Sequence, residues 1–82
     1  MTAHPNPVRD QTLISYQLTG SAHVNGCIYD AAGNLVTNLV AAFEAAGPHQ
    51  VTWNASGVMP GIYFFKLIAG NESSSARLLK VN

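Results

Sequence analysis

Four carboxylates, three histidines and a single cysteine are the residues of this 82-residue chain best suited to acid–base, nucleophilic or metal chemistry. Catalysis by such groups needs an acid, a base or a nucleophile held against an orienting partner. Asp10, Asp30, Glu44 and Glu72 each fall in or beside a predicted turn, where they read as solvated turn residues. No two of His4, His23 and His49 have metal-ligand spacing, and Cys27 does not complete a zinc set. His49 shares a row with Val51 and Trp53, so a partly buried structural histidine is expected there. Cys27 has no basic neighbour in sequence to activate it and reads as a small hydrophobe. No serine lies in a nucleophile elbow, and no glycine-rich loop could cradle a phosphate. The pattern points away from an enzyme and from a bound metal or cofactor.

Recognition chemistry is better represented. Trp53, Tyr63 and Phe64 could stack on sugar rings, although a lone Trp in a small β domain is more often core. Lys66, Arg77 and Lys80 are three of the four Lys and Arg residues and fall together in the C-terminal part. Their alternatives are a patch for another protein and ordinary solvated strand faces. Asn54-Ala55-Ser56 and Asn71-Glu72-Ser73 match the glycosylation sequon, which matters only where the source glycosylates.

Composition narrows the field further. The net charge is zero and charged residues make up 10% of the chain, well below the usual share of about a quarter. Nucleic-acid binding requires a basic surface, so it is not expected. A surface this poor in charge suits an exported protein. The single cysteine forbids an internal disulfide. No stretch reads as a signal peptide or a membrane span. The length fits one domain over residues 1–82, with Met1-Thr2-Ala3 read as a linker or an added start. The whole reads as a domain from the end of a longer protein.

The elements that would position these residues are strands. The most apolar run, Ile62 to Ala69, is rich in β-branched and aromatic residues and lies between Gly61 and Gly70. Alternation puts Tyr63, Phe65, Leu67 and Ala69 on one face and Ile62, Phe64, Lys66 and Ile68 on the other. Lys66 interrupts the second row, so the first is assigned to the core. The second row is also largely apolar, which predicts a central strand or an outer face that meets something. Thr12 to Leu18 and His23 to Asp30 read as strands, with Gly26 marking a close approach or a bulge. Asp30-Ala31-Ala32-Gly33 reads as a tight hairpin turn into a strand over Leu35 to Ala42. Phe43 to Ala46 reads as a loop broken by Gly47-Pro48, followed by strands over His49 to Trp53 and Ser73 to Val81. His4-Pro5-Asn6-Pro7 reads as an extended lead-in. The expected fold is all-β: an Ig-like antiparallel β-sandwich of six to seven strands.

The order of these motifs resembles a known family. Pro5-Asn6-Pro7, the strand Thr12 to Leu18, and Ile28-Tyr29-Asp30 followed by Gly33 and Val36 are the first three features. Gly47, His49, Val51, Trp53 and Asn54 come next, then Pro60-Gly61-Ile62-Tyr63-Phe64, Gly70, and Arg77 to Lys80. Together they resemble the C-terminal sorting domain of the type IX (Por) secretion system, and equally the related Ig-like domain of the flagellar hook-capping protein. Asn34 stands where the family usually has Arg, and Arg77 where Lys is commoner. The short strand that normally precedes Pro-Asn-Pro is expected to be absent, leaving a sheet edge exposed.

The resemblance implies a non-enzymatic address label at the end of a larger cargo. Such a domain passes through the periplasm and is recognised by outer-membrane secretion machinery, and its parent reaches the cell surface or the medium. The implied recognition residues are Pro60, Gly61, Tyr63, Lys66, Gly70, Arg77 and Lys80. Edge-strand pairing with a partner, or between copies, is one mode of recognition and a basic patch is another. The alternatives are an accessory module for carbohydrate or surface ligands and a structural spacer or assembly domain.

Overall fold

Period-two alternation, interrupted by glycine- and proline-bearing turns, dictates strands throughout. A computed structural model describes residues 1–82 and contains seven strands and no helix. They are β1 (Thr2–His4), β2 (Gln11–Leu18), β3 (Ala22–Asp30), β4 (Leu35–Glu44), β5 (Gly47–Asn54), β6 (Gly61–Ala69) and β7 (Glu72–Lys80). One sheet has the order β1-β2-β5 and the other β4-β3-β6-β7, with every neighbouring pair antiparallel. The two pack face to face as the expected sandwich.

The inward rows make the core. Ile14, Tyr16 and Leu18 from β2 and Trp53 from β5 meet Val24, Ile28, Tyr63, Phe65, Leu67 and Leu78 from the four-stranded sheet. Full burial of a large apolar side chain stabilises by about 1.5–3 kcal/mol. Phe65 and Ile28 lie at the centre with no exposure. Gly26 explains how the Phe65 ring fits. A Cβ at Gly26 would stand 2.6 Å from Phe65 Cζ and 2.7 Å from Val40 Cγ1. The β3–β4 register also shifts between Gly26 and Cys27, so the glycine marks both a close approach and a bulge.

The β3–β4 hairpin follows from two residues. Asp30 Oδ1 accepts the N–H groups of Ala32 (3.0 Å) and Asn34 (2.9 Å), and Oδ2 accepts the Asn34 side-chain amide at 3.3 Å. Hydrogen bonding from the Asn34 backbone, above all, holds the Asp30 carboxyl below its usual value. Gly33 closes the turn at φ +89°, where a side chain would be strained.

Three local expectations need correction. A short strand does precede Pro5-Asn6-Pro7: Thr2, Ala3 and His4 pair with Ser15, Ile14 and Leu13. Residues this few show no alternation, so nothing in the sequence distinguishes them from a linker. Phe43 and Glu44 are not loop but continue β4, opposite His23 and Ala22, with the Phe43 ring edge-on to His23 at 5.3 Å. Gly47 and Pro48 do not break the chain; they open β5, an edge strand, where a missing N–H is tolerated.

Candidate recognition surface

The β6–β7 hairpin has two unlike faces. Its inner face belongs to the core through Tyr63, Phe65, Leu67 and Leu78. On its outer face the register sets Ile62 opposite Leu79, Phe64 opposite Arg77, Lys66 opposite Ser75 and Ile68 opposite Ser73. Tyr29 of β3 lies beside Phe64, which gives a cross-sheet row of Tyr29, Phe64 and Arg77. Phe64, Ile68 and Leu79 stay exposed at 37%, 42% and 40%. The outer rows of β3, β6 and β7 hold Lys66 and Arg77 and no carboxylate. The one ion pair of the molecule joins His49 to Glu44, so neither cation is neutralised. A face of this kind, apolar with two unpaired cations, can bind an anionic or mixed apolar surface of another protein.

The residues implied by the resemblance divide between the two faces. Lys66 and Arg77 are exposed and lie on diagonal positions of the outer face. Pro60 and Gly70 are exposed at the two ends of β6, and Gly61 is half-buried opposite Lys80. Tyr63 is buried against Trp53, ring centroids 5.4 Å apart, and its hydroxyl donates to the Met59 carbonyl at 2.6 Å. It shapes the loop before β6 from within. Lys80 takes the inward row after Leu78, is 5% exposed, and donates from Nζ to the Val81 carbonyl at 2.9 Å. The three C-terminal cations therefore do not form one patch, because alternation turns Lys80 away from Lys66 and Arg77. The aromatic sugar platform also dissolves: Trp53 is 1% exposed, and Phe64 faces outward from the opposite sheet.

A polar cluster that the sequence did not announce ties the two sheets together. The Tyr16 hydroxyl donates to Glu44 Oε1 at 2.5 Å, and the Tyr16 and His49 rings stack with centroids 5.6 Å apart. His49 Nε2–H donates to the Ala45 carbonyl at 2.7 Å, and Nδ1 lies 3.7 Å from Glu44 Oε1. Glu44 is thus no solvated turn residue. Burial pushes the Tyr16 phenol above its ordinary value, and the bond to Glu44 adds to the rise. Extending the β4 alternation past Val40 and Ala42 places Glu44 on the inward row, and that is the signal that would have found it. His49 is half-buried in a structural setting, as its row suggested. Elsewhere no three His, Cys, Asp or Glu side chains converge as metal ligands, and no helix is long and apolar enough to cross a membrane.

The chain was compared with known proteins. No curated protein matches it. One solved structure with a similar fold comes from Porphyromonas gingivalis and is described as PorZ, an essential bacterial surface component of the type-IX secretion system. The TM-score is 0.66 at 23% identity, over 99% of this chain and 11% of that one, a likeness that concerns the fold. The model of the family described as the secretion-system C-terminal sorting domain matches residues 2–81, from the first residue of β1 to the residue after β7. The motif series, the sandwich and that match agree over nearly the whole chain, and the chain belongs to the type IX secretion-system C-terminal sorting domains.

Proposed function

We propose that this domain is a non-enzymatic address that directs a larger cargo across the outer membrane. Secretion machinery recognises it by protein–protein contact as a folded object. The observation that supports this most directly is the family match over residues 2–81, nearly the full length of the chain. The outer β6–β7 face supplies a physical means, since Phe64, Ile68 and Leu79 are exposed beside unpaired Lys66 and Arg77. In this reading the parent protein crosses the periplasm and ends at the cell surface or in the medium. A sandwich of similar fold within a surface component of the type IX system accords with that destination.

The test is export of a fluorescent cargo ending in this domain, in a bacterium with a working type IX system. The expected result is fluorescence outside the cells that disappears when the system is disabled. Fluorescence held in the periplasm, with the domain folded, would overturn the reading.

A further inference from the structure

The free edges of the sandwich are defended unequally. β1 is only three residues long, β4 is bent by two register shifts, and β5 carries Pro48. Short strands, bulges and proline are the usual guards against strand addition. β7 is guarded over its second half alone. Asn6 Nδ2 donates to the Arg77 carbonyl and Asn6 Oδ1 accepts the Leu79 N–H, both at 3.0 Å. Val8 N–H donates to the Leu79 carbonyl at 2.7 Å, and Val81 N–H to the Val8 carbonyl at 2.9 Å. The Pro-Asn-Pro segment thus lies on this edge as a surrogate strand.

These bonds fix the parity of the strand. The polar backbone groups of Arg77 and Leu79 point away from β6, so with an unbroken register those of Ser73 and Ser75 do so too. The N–H and C=O of Ser73 and Ser75, and the N–H of Arg77, have no protein partner. The stretch is Ser73-Ser74-Ser75-Ala76, with no charge, proline or bulge to repel a strand.

A second gap lies beside the first. β1 pairs only with Leu13, Ile14 and Ser15, so Tyr16, Gln17 and Leu18 of β2 have no neighbour on that side. β1 is also the strand of its sheet that touches β7. The sandwich therefore lacks a strand on both layers at one corner. A pocket of 240 Å³ opens there with mixed walls: Leu18, Leu67 and Ala69 supply an apolar side, and Gln17, Glu72 and Ser74 are among the more numerous polar residues around it.

We propose that this corner accepts an extended segment of about five residues from another protein, added to the free half of β7. Its backbone pairs with Ser73, Ser75 and the Arg77 N–H. An aliphatic or aromatic side chain beside Ser74 points inward and packs on the Leu18, Leu67 and Ala69 side of the pocket, leaving its polar rim to solvent. A second copy of the chain is the poorer occupant. Two free β7 edges paired with each other would offer only Glu72, Ser74 and Ala76 to the pocket, and none of these is a large apolar residue. The proposal rests on the sorting reading and names the partner's chemistry: a strand-forming segment of the secretion machinery.

The test uses the same exported cargo with three variants. Ser75→Pro removes an outward N–H that the fold does not use. Ser74→Lys puts an inward-pointing charge on the edge and in the pocket. Ser75→Thr keeps the N–H. With melting like that of the wild type, Ser75→Pro and Ser74→Lys are expected to lower export about tenfold or more, as loss of backbone pairing implies. Ser75→Thr is expected to export normally. Folded Ser75→Pro and Ser74→Lys domains exported at the wild-type level would overturn the added strand and leave the sorting reading standing. Failure of the wild-type fusion to leave the periplasm would overturn both. A dimer in analytical ultracentrifugation that Ser75→Pro dissociates would assign the edge to a second copy and overturn the partner segment.

Discussion

The two faces of β6 are nearly equal in hydrophobicity and opposite in use. Tyr63, Phe65 and Leu67 point into the sandwich and are buried, whereas Phe64, Lys66 and Ile68 point outward and are exposed. Apolar content alone does not separate these rows; the single charge of Lys66 does. A strand with one amphiphilic face would need only one apolar row. The second row is apolar without being covered, so burial in the core explains the first row and not the second. In the sandwich, stability therefore resides on one side of the β4-β3-β6-β7 sheet, and the other side carries an exposed apolar row with two cations.

The sharpest way to break that contrast is to truncate neighbours on opposite faces. Phe65→Ala empties the centre of the core and should destabilise by about 3–5 kcal/mol, a large part of what a domain this small possesses. Phe64→Ala removes an aromatic of the same size from the outer face and should cost under about 1 kcal/mol. Urea denaturation of the two variants measures the difference. Equal losses would mean that the outer face is as structural as the inner one.

Gly26→Ala tests the same core from the neighbouring strand. The added methyl meets the tip of the Phe65 ring and a Val40 methyl, both under 3.0 Å away. Val40 is half-buried and can turn aside, but the Phe65 ring is fully buried and has little room to retreat, so a cost of about 1–3 kcal/mol is expected. Phe65→Leu in the same chain shortens the opposing side chain and should recover part of that loss. A double-mutant cycle with no coupling would show that the two residues do not compete for one space.

Tyr16→Phe probes the polar exception within the inner layer. It strips Glu44 of a hydrogen bond from a buried donor and should cost about 1–2 kcal/mol. The phenol also carries a pH signature. Its folded value is raised, so its stabilising contribution is complete below the unfolded value of about 10 and declines as pH rises beyond that. Thermal melts across the alkaline range should fall less steeply for Tyr16→Phe than for the wild type. An identical alkaline decline in both would remove Tyr16 from the account.

How much of this was legible in the sequence depends on the range of the interaction. The strands of eight or more residues were visible because alternation repeats several times within them, as in β2, β3 and β6. The Asp30 turn was visible because its bonds reach only to Ala32 and Asn34. β1 was not, since three residues contain no period. Glu44 reads as loop because Ala41 to Ala46 is too short for a helix, is poor in strand-forming residues and runs into Gly47-Pro48, whereas pairing with β3 carries β4 as far as Glu44. The residues implied by the resemblance show the same limit. Their resemblance named Tyr63 and Lys80 together with Lys66 and Arg77, yet only placement in the sheet shows that the first two face inward. The capped half of β7 was beyond reach as well, because Asn6 meets residues more than seventy positions away.

The smallest effect on stability should be paired with a large effect on export. Lys66→Glu and Arg77→Glu alter exposed groups that have no carboxylate partner to lose, so each should change stability by less than about 0.5 kcal/mol. Reversing both changes the sign of the charge on the outer β3–β6–β7 face, where no other Lys, Arg, Asp or Glu compensates. If that face meets the secretion machinery, the double variant should melt like the wild type while its cargo accumulates in the periplasm. Replacement by Gln should give an intermediate result, since it removes the attraction without adding repulsion. A folded Lys66→Glu, Arg77→Glu domain exported as well as the wild type would shift recognition from this face to the open corner beside β7. The outer apolar row would then need another explanation, because neither the core nor the charge would account for it.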